Sequence, residues 1–172
     1  FEPDSVAVIG ASSTPGKPGN VLLKNIRDNG FPGKVYGVNP RGGEIEGFPI
    51  FKSIDELPDG IDQAIITLPA QYNPDTVRAC GAKGIEMLIL AASGFAEVDH
   101  VGGALQEDLM AAIEESNVRV LGPNTTGHVS MPASFTSSFF ALGQVPRGRI
   151  SYITQTGNFS GISLRHIMSA EN

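Results

Sequence analysis

The stretch that decides the fold reads VAVIGASSTPGKPG, residues 6–19. Its first four residues are all apolar, which is typical of a strand buried on both faces of a parallel sheet. Glycine, proline and small or hydroxyl-bearing residues follow, with one cation at Lys17. A buried strand, a Gly-rich loop and a helix in this order are typical of the first unit of an α/β fold. We therefore expect residues 6–9 to form an inner strand.

The same alternation of strand-like and helix-like runs continues along the chain. Further strands are predicted at residues 35–38, 64–68, 87–91 and 118–121, and helices at 21–29, 74–82 and 99–115. The last helix carries apolar residues at helical spacing, which indicates a core-facing stripe: Val101, Ala104, Leu105, Leu109, Ala112 and Ile113. This order predicts an α/β protein with a Rossmann-like, doubly wound parallel sheet of five strands.

The segments between and after these elements are less regular. We expect residues 42–51 to form a Gly-rich excursion, and residues 53–57 a single helical turn capped by Ser53 with Glu56 at the capping-box position. The composition of residues 123–148 predicts a long covering loop. Its Phe135, Phe139 and Phe140 cluster either caps the core or faces a further domain, and we favour the second. A strand at 150–154 and a helix at 161–168 indicate a new βα unit. The predicted domains are therefore 1–146 and 147–172.

Composition limits the classes of function. The chain has 172 residues, 41% of them hydrophobic, and a formal net charge of −6. An acidic chain is a poor candidate for binding nucleic acid or an anionic membrane, and no apolar run approaches the ~18 residues of a membrane span. The one cysteine, Cys80, excludes an internal disulfide and a Cys-rich metal site. The ends, at Phe1 and Asn172, predict a piece of a longer cytoplasmic protein.

Ligands of open α/β sheets bind beyond the carboxyl ends of the strands, and each predicted strand here ends in small or polar residues. The first loop, from Gly10 to Lys17, offers a close backbone approach, the hydroxyls of Ser12, Ser13 and Thr14, and a helix N-terminus. Its spacing matches neither G-x-G-x-x-G nor the Walker A loop. The loop therefore predicts a phosphate site.

The end of the second strand indicates which ligand carries that phosphate. An NAD site uses an acidic residue there, whereas this chain has Asn39, Pro40 and Arg41. A guanidinium is suited to a phosphate. This favours a ribose phosphate, either the 2′-phosphate of NADP or the 3′-phosphate of coenzyme A.

Several motifs taken together resemble one family. They are Gly10-Ala-Ser, residues 15–19 (PGKPG), 38–40 (VNP), 47–51 (GFPIF), 94–97 (GFAE) and 122–124 (GPN). In this order they resemble the CoA-binding domain of nucleoside-diphosphate-forming acyl-CoA synthetases, such as ADP-forming acetyl-CoA synthetases and the α subunit of succinyl-CoA synthetase. The resemblance covers about residues 4–172. Residues 155–157 (QTG) are similar to the start of the family's second, flavodoxin-like domain, whose first βα unit would be present here.

The resemblance implies a set of CoA-binding residues. Ser12, Ser13, Thr14, Pro15 and Gly16 would wrap the diphosphate, Asn39 and Arg41 would lie near the adenosine and its 3′-phosphate, Pro69 would border the ligand, Ala91, Ala92 and Ser93 would line the pantetheine arm, and Asn124 would lie near the thiol. Gly10 and Lys17 complete the candidate set. No metal is expected.

The resemblance also implies a reaction and partners. Such enzymes make acyl-CoA from an acid, CoA and NTP through an acyl phosphate and a phosphohistidine. None of the histidines, His100, His128 and His166, matches the phosphohistidine motif. The catalytic residues are therefore expected in a downstream ligase domain and an ATP-grasp domain or subunit, and the chain alone is expected to be inactive.

Other readings stay open at this stage. One is an NADP-binding oxidoreductase or redox-sensing domain, and the other is an acyl-CoA-sensing regulatory domain fused to an acetyltransferase. Self-association is also expected, because the terminal βα unit has no sheet of its own.

Overall fold

The computed structural model describes residues 1–157, 159, 161–163 and 166. The strands are β1 (Ser5–Ile9), β2 (Lys34–Val38), β3 (Gly43–Ile45), β4 (Phe48–Phe51), β5 (Gln63–Ile66), β6 (Met87–Leu90), β7 (Arg119–Leu121), β8 (Val129–Ser130) and β9 (Phe135–Thr136), and the helices are α1 (Pro18–Asp28), α2 (Asn73–Ala82) and α3 (His100–Ser116), with a 3₁₀ turn at Ala70–Tyr72. The main sheet has the order β3-β4-β2-β1-β5-β6-β7. All its pairings are parallel except β3 with β4.

Helices cover both faces of this sheet, which confirms the doubly wound arrangement. Strand β1 is buried throughout, and its successive side chains point to opposite faces. Val6 and Val8 belong to a core cluster with Leu22 and Ile26 of α1. Ala7 and Ile9 belong to the other cluster, which includes residues of α2 and α3. The fully apolar run at residues 6–9 is thus explained by burial on two sides.

The prediction of a five-stranded sheet was wrong, because residues 42–51 contribute two further strands to it. They form the antiparallel hairpin β3–β4, and β4 pairs with β2 at the edge of the sheet. The hairpin turn consists of Glu46 and Gly47, both with positive φ. Glu46 is held in this conformation by hydrogen bonds from Asn20 and Arg27 of α1.

Two finer predictions about helices were also wrong. Residues 53–57 form a turn and no helix. The Glu56 carboxylate accepts from the Lys52 amide at 2.9 Å, so its capping contact is with Lys52. In α3 the predicted stripe holds only in its second half. Leu109 and Ala112 are buried, whereas Val101 and Ala104 are exposed.

The covering loop begins as predicted but contains the short hairpin β8–β9. Phe135 is fully buried against the α1 face, with its ring centroid 5.0 Å from that of Phe31. It therefore caps the core, and the favoured interface role was wrong for this residue. The strand predicted at 150–154 does not form, and Ile150 and Ile153 are more than nine-tenths exposed. Residues 161–163 and 166 are helical, and the other residues of the predicted last helix lie outside the described part.

Self-association stays a prediction. It was expected because a strand at residues 150–154 would need a partner, and residues 150–154 form no strand. In the part of the chain that the structure describes, we find no helix whose length and hydrophobicity would suit a membrane span.

Candidate functional site

The loop after β1 is fastened to both neighbouring strands. The amides of Gly10 and Ala11 each donate to Val38 O at 3.1 Å, at the end of β2. On the other side, the Thr67 hydroxyl donates to Ile9 O at 3.1 Å and to Gly10 O at 3.2 Å. Gly10 has a φ of 94°, which favours glycine. The base of the loop is therefore rigid.

Helix α1 begins directly against this loop. A Cβ on Gly19 would lie 2.2 Å from Gly10 O, so only glycine allows the approach. The side chain of Lys17, the N-cap residue of α1, makes no capping hydrogen bond, and Pro18 occupies the first turn. Because the first amides of a helix carry partial positive charge, this end is suited to an anion.

The tip of the loop is open to solvent. Ser13, Thr14, Pro15 and Gly16 are exposed, and Ser12 is half-buried. The Ser12 hydroxyl accepts from the Thr14 amide at 3.1 Å, which curls the tip. The tip therefore presents backbone and hydroxyl groups that a ligand can reach.

Asn39 joins the end of β2 to the first loop. Its Nδ2 donates to Ala11 O at 2.8 Å, and its Oδ1 accepts from the Arg41 amide at 2.9 Å. The second bond closes a tight turn that leaves Arg41 exposed at the rim. Asn39 thus shapes the site with both ends of its amide.

A cavity of about 460 Å³ lies between the loops that follow β1, β2 and β5. Five of the predicted residues line it: Gly10, Ser12, Lys17, Asn39 and Pro69. Arg41 does not line it, whereas Lys52 from the segment after β4 does. Two cations therefore border the cavity, Lys17 and Lys52.

Sequence reasoning missed the contributions of Lys52, Ser53 and Ile54. These residues follow directly on β4, whose parallel pairing with β2 brings them to the same edge. They were missed because the hairpin β3–β4 was not predicted. Had residues 48–51 been identified as a strand, the segment after them would have been expected at the ligand edge.

The remaining predicted residues meet at the ends of β6 and β7. The Asn124 amide donates to Ala92 O at 2.8 Å, and the Ala91 amide donates to Ile66 O at 3.1 Å. Ser93 follows in the same loop and is exposed. This second group adjoins the first through the neighbouring glycine, since a Cβ on Gly94 would lie 3.3 Å from Ala70 Cβ.

Three titratable side chains have shifted pKa values, and only one of them, Glu97, belongs to these loops. A hydrogen bond from the Gly94 amide lowers the pKa of Glu97, beside Asn124. Burial raises the pKa of the Cys80 thiol to about 12 and lowers the pKa of His128 to about 4. Neither Cys80 nor His128 lines the cavity. Within the described residues, no three His, Cys, Asp or Glu side chains are grouped as metal ligands.

Comparison with known proteins identifies the family. A model of the CoA-binding domain matches residues 4–130. The α subunit of ADP-forming acetate–CoA ligase I from Pyrococcus furiosus is 40% identical over 95% of this chain and 36% of its own length. ADP-forming acetate–CoA ligase II from Archaeoglobus fulgidus is 39% identical over 98% of this chain and 25% of its own.

The solved structures agree with the sequence comparison. The dinucleotide-forming acetyl-coenzyme A synthetase 1 of Ca. Korarchaeum cryptofilum, in complex with phosphate and ADP, superposes with a TM-score of 0.92 at 32% identity. That match covers 98% of this chain and 36% of the other. The chain thus spans between a quarter and about a third of the length of these relatives. It belongs to the CoA-binding domain family.

Proposed function

We propose that this chain binds coenzyme A or an acyl-CoA along the carboxyl edge of its sheet, as the CoA-binding part of an NDP-forming acyl-CoA synthetase. One observation supports this most directly. A cavity bordered by Lys17 and Lys52 lies beside the uncapped N-terminus of α1. Two cations beside a loop and a helix start that approach closely suit a ligand that carries phosphates.

The CoA diphosphate is assigned to the first loop. Residues 12–16 would wrap it with backbone amides and hydroxyl groups, and Lys17 would neutralise part of its charge. The support is that Gly19 lets the helix approach the loop closely, since a Cβ there would lie 2.2 Å from Gly10 O. A side chain at position 19 would push the start of α1 away from the loop.

The adenosine and its 3′-phosphate are assigned to the end of β2. Asn39 would border the adenosine, and Arg41 would contact the 3′-phosphate from the rim. Lys52 lies close by, since a Cβ on Gly42 would be 3.3 Å from Lys52 Cγ. Two cations on either side of one turn fit a ligand with a separate phosphate on its ribose.

The pantetheine arm is assigned to the loops after β5, β6 and β7. Pro69 would border it, Ala91, Ala92 and Ser93 would line it, and Asn124 would lie near the thiol. The support is that the structure brings these loops side by side, with Asn124 bonded to Ala92. The arm would then run along the edge from the cavity toward Asn124.

We propose residues 1–146 as the CoA-binding domain and residues 147–172 as the start of the next one. The end of the covering loop is tied to α1 up to that boundary. Asn25 Nδ2 donates to Ser138 O at 2.9 Å, and Asn29 Oδ1 accepts from the Val145 amide at 2.9 Å. Beyond it, Ile150 is 93% exposed. Tight bonds before the boundary and exposed apolar residues after it support the division.

The whole enzyme is proposed to convert an acid, CoA and NTP into acyl-CoA. The CoA thiol would attack the carbonyl carbon of an acyl phosphate, and phosphate would leave. This chain would hold and orient the CoA, whereas the phosphohistidine and the nucleotide site would belong to a further ligase domain and an ATP-grasp domain or subunit. The one cysteine, Cys80, fits a reducing compartment, and we propose a cytoplasmic location.

Calorimetric titration of the chain tests the proposal. We expect binding of CoA, weaker binding of dephospho-CoA and no binding of NADPH. Lys17→Met should raise the Kd for CoA at least about tenfold, because a charged hydrogen bond contributes about 1.5–3 kcal/mol. Lys24→Met is the matched control, because Lys24 is exposed on α1 and does not line the cavity. Binding of NADPH without CoA would contradict the proposal.

A further inference from the structure

The carboxylate of Glu97 holds the loop that follows β6. One oxygen, Oε1, accepts from the Gly94 amide at 2.7 Å, and the other, Oε2, accepts from the Phe95 amide at 3.1 Å. The Gly94 bond, with smaller help from other amides, holds the pKa of this carboxyl below its ordinary value. Glu97 is therefore ionised at neutral pH, and both its oxygens are engaged with the backbone.

The same carboxylate also contacts the loop that follows β7. The side-chain Nδ2 of Asn124 lies 3.5 Å from Glu97 Oε1, and the backbone N–H of Asn124 donates to Ala92 O at 2.8 Å. Asn124 has a φ of 56°, a conformation that few residues other than glycine adopt. Its backbone and its side chain are thus held by two points of the neighbouring loop, and Glu97 provides one of them.

The segment that carries Glu97 is itself firmly anchored. Phe95 is fully buried, and a Cβ on Gly102 would lie 2.0 Å from Phe95 O, so α3 packs directly on the loop. Asp99 caps α3 by accepting from the Gly102 amide at 2.9 Å. Gln106 accepts from the Ala96 amide at 3.3 Å. An exposed carboxylate on a fixed backbone can therefore set the position of its partners.

We propose that Glu97 is a positioning residue, which fixes Asn124 and the loop after β6 in the orientation that receives the pantetheine arm of CoA. This inference rests on the proposed function. Glu97 is not among the residues assigned to contact CoA, and it does not line the cavity assigned to the adenosine half. Its influence should therefore be confined to the pantetheine half of the ligand.

Two ligands separate this role from a general effect on folding. Coenzyme A has both halves, whereas adenosine 3′,5′-bisphosphate lacks the pantetheine arm. Glu97→Ala should raise the Kd for CoA about tenfold, because it removes a charged hydrogen-bond acceptor from two loops. The same variant should bind the bisphosphate within about twofold of the unmodified chain. Glu107→Ala is the control, since Glu107 is exposed on α3 and should leave both affinities unchanged.

A double-mutant cycle tests whether Glu97 acts through Asn124. Combining Glu97→Ala with Asn124→Ala should weaken CoA binding little more than Asn124→Ala alone, because coupled residues are not additive. Full additivity would overturn the proposal. If Glu97→Ala fails to fold by circular dichroism, Glu97→Gln serves in its place. It keeps one acceptor and the side-chain volume, and should give a smaller but still ligand-selective loss.

The outcomes distinguish the two proposals. An unmodified chain that binds neither ligand counts against the proposed function. An unmodified chain that binds CoA, with a folded Glu97→Ala variant of equal affinity, overturns only the role of Glu97. Equal losses of affinity for CoA and for the bisphosphate would also overturn that role, because they would indicate that the variant disturbs the fold as a whole.

Discussion

The contact between Gly19 and Gly10 makes the sharpest prediction about stability. A Cβ on residue 19 would lie 2.2 Å from Gly10 O and 3.1 Å from Ala11 Cα. Ordinary van der Waals contact begins at 3.4 Å, so the Gly19→Ala variant must separate α1 from the first loop by about 1.2 Å. That movement is opposed by rigid neighbours, because Gly10 is bonded to both β2 and β5.

The expected cost follows from these distances. Overpacking against fixed atoms costs about 1–3 kcal/mol, and backbone neighbours favour the upper end. Alanine returns at most about 1 kcal/mol through its better helix propensity. We therefore expect Gly19→Ala to lower the free energy of unfolding by about 2 kcal/mol. For a chain of this size, that loss corresponds to a fall in Tm of about 4–8 °C.

Urea unfolding followed by circular dichroism measures the change. Gly103→Ala is the matched control, because Gly103 lies in α3 and a Cβ there meets nothing within 4 Å. The control gains only helix propensity, and its Tm should rise by about 2–4 °C. A Gly19→Ala variant as stable as Gly103→Ala would refute the reasoning, because it would show that the close contact with Gly10 O has no energetic cost.

Three further predictions concern buried groups away from the site. Burial lowers the pKa of His128 to about 4 from an ordinary 6.5. The contribution of His128 to stability is therefore fully present above pH 6.5 and is lost as the pH falls from 6.5 to 4, because in that range only the unfolded chain takes up the proton. His128→Gln should remove as much as about 3 kcal/mol of this pH dependence of the free energy of unfolding, and an unchanged profile would contradict the prediction. Cys80, buried with its pKa raised to about 12, should react with a thiol reagent only after denaturation, so rapid labelling of the native chain would be inconsistent with its burial. Phe135→Ala should cost about 3–5 kcal/mol in chemical unfolding, because the fully buried ring leaves a cavity against Phe31, and a loss under about 1 kcal/mol would speak against its place in the core.

The inner part of the fold could be predicted from the sequence because its signals are local. The apolar run at residues 6–9 and the glycines at 10 and 19 carry their own explanation, since burial on both faces and close helix approach depend on residue type at each position. The second half of α3 is similar. Val101 departs from its pattern because the start of α3 packs on the loop after β6 through Gly102, whereas Val101 is 78% exposed.

The edge of the sheet could not be predicted, because its signals are not local. The turn between β3 and β4 uses Glu46 and Gly47 in place of the usual Asn-Gly, so the hairpin lacks its usual sequence signal. Glu46 takes its positive φ with the help of Asn20 and Arg27, which lie on α1. Residues 150–154 show the converse. Their sequence, ISYIT, suits a strand, but they pair with no strand in the described part of the chain.

The candidate site repeats this distinction at the level of single charges. Arg41 was singled out because it stands at the end of a strand, yet the bond from its amide to Asn39 Oδ1 closes a turn that leaves it at the rim. Lys52 lies between the excursion expected at residues 42–51 and the helical turn expected at 53–57, yet the pairing of β4 with β2 brings it to the cavity wall. A net charge of −6 describes neither position. Which cations line the cavity is decided by turns and strand pairings, and the pairing of β4 with β2 depends on the hairpin that brings β4 back to the sheet.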